Sequence, residues 1–139
     1  MSSLNRFEAS PCEKQQNARQ RLRSDKRARR FKDILDNIGR VERFTAGFDL
    51  GRFVADEQAS FAVLHALLII SEAARRLGQD AESLAPGPPW HAIRGLGNVL
   101  RHEYEGVDMA EVWAIVSDDL PSLKQAVETA LQTLRTDKT

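Results

Sequence analysis

From Phe31 onward the apolar residues recur at helical spacing, and nearly every break in the pattern carries a glycine or a proline. Phe31, Ile34, Leu35, Ile38, Val41 and Phe44 follow the i, i+3, i+4, i+7 rule with mostly polar residues between them. This predicts an amphipathic helix over roughly 27–45, closed by Gly47 and the polar stretch around Asp49 and Gly51. A second helix is predicted over about 58–77 and stopped by Gly78. Its centre (Phe61, Val63, Leu64, Leu67 to Ile70) is apolar on nearly every face, as expected inside a bundle. Pro86-Gly87-Pro88-Pro89 forces a loop. Trp90 then opens a third helix that runs to about Tyr104, although Gly95 and Gly97 each cost it ~1 kcal/mol relative to alanine. Gly106 breaks that helix, and Asp108 with Glu111 reads as a capping box. The last apolar series runs from Val112 to Leu134, and Pro121 inside it predicts a kink or a restart near Asp119. No period-2 alternation and no internal repeat occur. The expected product is an all-α antiparallel bundle of four main helices.

The length of 139 residues suits one domain. The longest apolar run, Ala66 to Ile70, is far shorter than the ~18–20 residues that span a bilayer. No N-terminal apolar segment reads as a secretory signal. The single cysteine, Cys12, has no partner for an internal disulfide. These features lead to the expectation of a cytoplasmic protein with no membrane association. The zero formal net charge hides a split, because residues 1–30 hold nine Lys/Arg against three Asp/Glu. Seven of the twelve residues from Arg19 to Arg30 are basic. We therefore divide the chain into a basic N-terminal arm (1–27), partly disordered or a helix extension, and a helical domain (28–139). The arm could meet RNA phosphates, an acidic partner or only solvent, and it lacks the aromatic residues that would stack on bases.

The familiar enzyme motifs are absent: no phosphate-cradling Gly-rich loop with its lysine, no H-E-x-x-H, no Cys/His zinc pattern and no G-x-S-x-G. His65, His91 and His102 are scattered, so neither a metal nor another cofactor is expected. The densest polar cluster lies between Trp90 and Tyr104. Arg94, Asn98 and His102 share a helix face, and Arg94 and Arg101 lie within about a turn of Gly97 on either side. Arginine suits phosphate oxygens because it stays charged and offers a planar fork of donors. Histidine suits proton transfer because its ordinary pKa lies near neutrality. Together they fit metal-free cleavage of a phosphodiester through its own 2′-hydroxyl. A histidine near a helix C-terminus can equally be there for the helix dipole.

At these residues the chain resembles the HepT-like toxins, a branch of the HEPN-domain ribonucleases. The resemblance runs from about Phe31 to Leu134. It is carried by Ser71-Glu72-Ala73-Ala74, Pro89-Trp90, Asn98, His102-Glu103-Tyr104, Gly106-Val107-Asp108 and Val112-Trp113. It implies a HEPN-like homodimer whose two signature helices face a shared cleft and cut RNA without metal. It also implies a partner, a minimal nucleotidyltransferase antitoxin, that attaches AMP to the signature tyrosine. Under the family pattern R-x4-H-x-Y the histidine falls on His102 and the tyrosine on Tyr104. The arginine position holds Gly97.

Three readings of that glycine stay open. Arg101 or Arg94 takes over the vacated space; the protein binds RNA without cutting it; or it is a degenerate copy, a non-catalytic module that docks its partner. Glu103 and Glu105 beside His102 would repel phosphate. The expected catalytic set is His102, Asn98, Arg101 and Arg94, with Tyr104 as the modified residue. Glu72 is expected as a supporting carboxylate, buried and paired with Arg94 or Arg101. His65 is expected in the core, His91 at the surface, and Trp90 and Trp113 as packing anchors.

Overall fold

The computed structural model describes residues 11–136, and the beginning of the basic arm (1–10) lies outside them. Within them the chain forms seven α-helices and no strand: α1 (Pro11–Phe44), α2 (Leu50–Ala55), α3 (Glu57–Leu77), α4 (Gln79–Leu84), α5 (Trp90–His102), α6 (Met109–Ala114) and α7 (Leu120–Thr136). α1, α3 and α5 are three of the four expected long elements, α6 continued through the bend into α7 is the fourth, and α2 and α4 are additional. Each addition is only six residues long, too short to show a period. The caps account for α2. Asp49 accepts the Arg52 N–H at 2.8 Å, and Asp56 ends α2 while capping α3 through the Ala59 N–H at 2.9 Å.

Phe31, Ile34, Ile38 and Val41 of α1 are buried along one stripe, against the Val63, Leu67, Ile70 and Ala74 face of α3 and the Leu123, Val127 and Leu134 face of α7. α1 and α3 run antiparallel. Arg23 meets Asp80 at one end, and Phe44 lies near Gln58 at the other. α5 packs on the opposite flank of α3. Trp90 is buried, stands edge-on to Phe31 at 6.5 Å and donates its indole N–H to the Ala85 carbonyl at 2.8 Å. That bond ties the proline loop to the start of α5. Trp113 packs on the buried ring of Phe53, with ring centroids 5.1 Å apart.

α5 ends at His102, two residues earlier than the periodicity suggests, and Tyr104–Gly106 forms a single 3₁₀ turn. Asp108 caps α6 by accepting the Ala110 N–H at 2.9 Å, while Glu111 faces solvent, so only half of the expected box is present. Around Asp119 the chain bends through a π turn, Ile115–Asp119, before α7. The wider turn accommodates the hydrogen bond that Pro121 cannot donate.

Candidate active site

The site is built where α5 crosses α3. Ser71 is buried in α3 and donates its hydroxyl to the Leu68 carbonyl at 2.8 Å. Gly97 of α5 lies directly over it. A Cβ at Gly97 would stand 2.4 Å from Ser71 Oγ and 3.1 Å from Ser71 Cβ, well inside van der Waals contact. Only glycine fits this crossing as packed, and the same Cβ would stand 3.3 Å from Arg101 Nη2. The Arg101 side chain therefore folds back over the surface beside position 97. It does so because one helical turn separates the two residues and an anchor waits on α3.

That anchor is Glu72. Its carboxylate accepts from Arg101 Nη2 at 3.1 Å, from Arg75 at 2.6 and 3.1 Å, and from Arg76 Nε at 3.1 Å. The hydrogen bonds from Arg75, with its charge and that of Arg76, hold the Glu72 pKa at about 2, against the opposing effect of desolvation. One carboxylate thus meets three guanidiniums and leaves local positive charge unneutralised. The expectation of a buried Glu72 is corrected, because its side chain is one-third exposed. An exposed rim carboxylate survives there because three cations compensate it, without burial.

Arg94 is not brought to this cluster. Its Nε donates to the Ala74 carbonyl at 3.2 Å, and its Nη2 donates to the Gly78 carbonyl at 2.6 Å and to Glu82. It closes the C-terminus of α3, where helix carbonyls lack intrahelical donors and Gly78 turns the chain at φ +56°. Asn98, His102 and Tyr104 are exposed, and neither the imidazole of His102 nor the amide of Asn98 makes a hydrogen bond to any described residue. Tyr104 stacks on Phe61 of α3, with centroids 5.6 Å apart and planes 16° from parallel, and its ring is 41 % exposed. The phenol oxygen likewise has no hydrogen-bond partner among the described residues.

His65 is exposed, which corrects its assignment to the core. The outward side of α3 passes through Phe61, which carries Tyr104, the exposed His65 and the half-buried Glu72, which holds Arg101. His91 lies at the surface as expected. Beside Arg101, a groove of about 350 Å³ opens between α1 and α3, walled by Arg30, Asp33, Leu68, Ile69, Glu72 and Ala73. Sequence reasoning missed Arg75, Arg76 and Phe61. The first two stand three and four residues after Glu72 and were open to discovery by helical pairing. Phe61 reaches Tyr104 across 43 positions with no local signal. Among the described residues no three His, Cys, Asp or Glu side chains gather as a metal site, and no helix is long and apolar enough to cross a membrane.

The chain is thus an all-helical bundle with Arg101 and His102 in the last turn of α5 and Tyr104 in the 3₁₀ turn that follows. The chain belongs to the ribonuclease HepT-like family, whose sequence model matches residues 34–130. It is 38% identical over 96 residues to "Putative RNase MJ1380" of Methanocaldococcus jannaschii, covering 69% of this chain and 88% of that protein. It is 37% identical over 98 residues to "Probable ribonuclease HepT" of Thermococcus cleftensis, covering 70% and 89% respectively. No solved structure gives a significant match.

Proposed function

We propose that this chain is a metal-independent endoribonuclease toxin that works as a homodimer. The observation that carries the reading is the Arg101 guanidinium lying beside Gly97, where the family pattern has its arginine. In the reaction His102 takes the proton from the ribose 2′-hydroxyl, or delivers one to the departing 5′-oxygen. The 2′-oxygen bonds to phosphorus as the bond from phosphorus to the 5′-oxygen breaks, leaving a cyclic phosphate. Arg101 holds the non-bridging oxygens as charge grows on them, and Asn98 orients the phosphate. Arg94, the other arginine of the expected set, serves the site by fixing α5 on the end of α3. The groove between α1 and α3 starts at Arg101 and gives the strand a path away from the reacting phosphate.

The exposed side of α3 around His65 and the adjoining end of α5 supply a face for the second copy, which brings two His102 residues into one cleft. Sedimentation of a species of twice the 15.6 kDa chain mass supports this, and a stable monomer at micromolar concentration removes the shared cleft. Tyr104 is the acceptor for AMP from a minimal nucleotidyltransferase antitoxin. Its exposed ring is held flat on Phe61 with the hydroxyl free of partners among the described residues, so a partner enzyme can reach the oxygen. Attached AMP would then bring a phosphate and a base beside His102 and compete with RNA for Arg101. Intact-mass measurement after co-expression should show added AMP on the wild type and none on Tyr104→Phe.

The deciding experiment is cleavage of RNA by wild type and His102→Ala with EDTA present. Cleavage by wild type alone supports the assignment. Activity that needs added magnesium or manganese overturns it. RNA binding without cleavage by the wild type leaves the non-catalytic module.

A further inference from the structure

We propose that the basic half of α1, together with the C-terminal turn of α3, forms a phosphate track that holds the RNA strand flanking the cleavage site. The proposal deepens the ribonuclease reading and rests on it. A groove of about 430 Å³ separates these elements; its cations are Arg23, Lys26, Arg27, Arg29, Arg30 and Arg76, and the one carboxylate lining it is Asp80. Arg30 also walls the groove that ends at Arg101, so the two depressions meet at a shared side chain. A polyanion leaving Arg101 along α1 stays against guanidiniums past Arg30 and Arg27 to Arg23. At 1.5 Å per residue, the wall from Arg30 to Arg23 is about 10 Å long.

The carboxylates do not cancel this charge. Asp80 is shared by Arg23 at 3.2 Å and Arg27 at 4.0 Å, Asp33 faces Arg30 at 3.6 Å, and Glu72 already serves Arg75, Arg76 and Arg101. Lys26 and Arg29 form no ion pair with any described residue. No aromatic side chain lines the groove, so it would grip phosphates without reading bases. Continuity with Arg101 favours RNA over an acidic protein, which would have no reason to share a groove with the reacting centre. Arg23 to Arg30 precede the segment that the family model matches, which begins at residue 34.

The test uses the full chain and a triple variant, Arg23→Gln with Lys26→Gln and Arg29→Gln, all at exposed positions. Fluorescence anisotropy would follow binding of 2′-O-methyl RNA, which cannot react through its 2′-oxygen, as a 12-mer and a 4-mer across a salt series. Cleavage of a short unmodified RNA would be followed in parallel. For single strands, the slope of log affinity against log salt changes by roughly 0.7 per phosphate contact, so the variant should lose about 2 from the slope. Its affinity for the 12-mer should fall at least ~10-fold at physiological salt, with 4-mer binding and short-RNA cleavage unchanged. An unaltered slope and 12-mer affinity overturn the track while leaving the ribonuclease reading intact. So does a variant that keeps RNA affinity but no longer binds polyglutamate, which would make the helix a protein-docking surface. A wild type that neither binds nor cleaves RNA overturns both readings together.

Discussion

α5 carries two arginines seven residues apart on the same face, Arg94 toward its start and Arg101 in its last turn, and the two side chains have opposite fates. At the N-terminal end Arg94 is three-quarters buried and spends its donors on two backbone carbonyls and Glu82. At the C-terminal end Arg101 is 40 % exposed and holds a single contact to a carboxylate already shared with two other arginines. The difference lies in what surrounds each charge. Carbonyls at a helix end neither titrate nor leave, so Arg94 is committed to structure. Arg101 is held in place and still has N–H groups free for a phosphate. Two residues of identical chemistry on one helix thus differ: one is locked onto helix-end carbonyls, and the other keeps exposed N–H groups.

The largest effects should come from separating the two arginines. Arg101→Ala is expected to lower the cleavage rate at least ~10²-fold, the scale for removing a group that stabilises transition-state charge, with little change in melting temperature. Arg94→Ala should behave in reverse. Losing hydrogen bonds from a charged donor to carbonyls costs roughly 2 kcal/mol, a fall of several degrees in Tm, while cleavage per folded molecule stays within a few-fold of wild type. Rates and melting curves of the two variants, measured side by side, check this. Equal loss of rate in both would erase the contrast.

Next in size is the crossing that keeps Arg101 where it is. Gly97→Ala gains helix propensity of ~1 kcal/mol but forces a methyl onto Ser71, an overpacking that costs ~1–3 kcal/mol, so a net loss of about 1 kcal/mol is expected. Adding Ser71→Gly should recover most of that loss in a thermal melt. Recovery by the double variant sharpens the claim that the two helices touch at this point; strict additivity of the two changes breaks it. Gly97→Arg, which restores the family residue, should reduce stability further without raising activity.

The smallest effect concerns pH. The Glu72 carboxyl is lowered from 4.5 to about 2 in the fold, so its pairing contributes stability that is complete above pH 4.5 and lost as pH falls toward 2. Melting temperatures of wild type and Glu72→Gln should therefore differ by a constant amount from pH 5 to 7 and converge between pH 4.5 and 2. In the same variant kcat should drop without a rise in KM, because Arg101 loses its holder while no phosphate contact is removed. A rise in KM alone would mean that Glu72 shapes binding and leaves the geometry of Arg101 untouched.

The long helices, their stops and their inward faces can be read along the chain, because these follow from local rules. The Phe31, Ile34, Ile38 and Val41 stripe, the turn at Gly78 and the bend before Pro121 are legible from spacing and backbone chemistry alone. The candidate residues Asn98, Arg101, His102 and Tyr104 could be grouped along the chain too, since they stand within seven positions of one another. It took the packing of the helices to show which arginine keeps exposed donors, that His65 and Glu72 face outward, and that Phe61 carries Tyr104. Periodicity places a residue on a face but does not say what covers that face. An exposed strip inside an apolar helix looks like core until its neighbours are placed. Gly97 shows the limit most plainly. Along the chain it is a helix-weakening glycine, and in three dimensions its missing side chain lets α5 lie on Ser71 with Arg101 folded over the join.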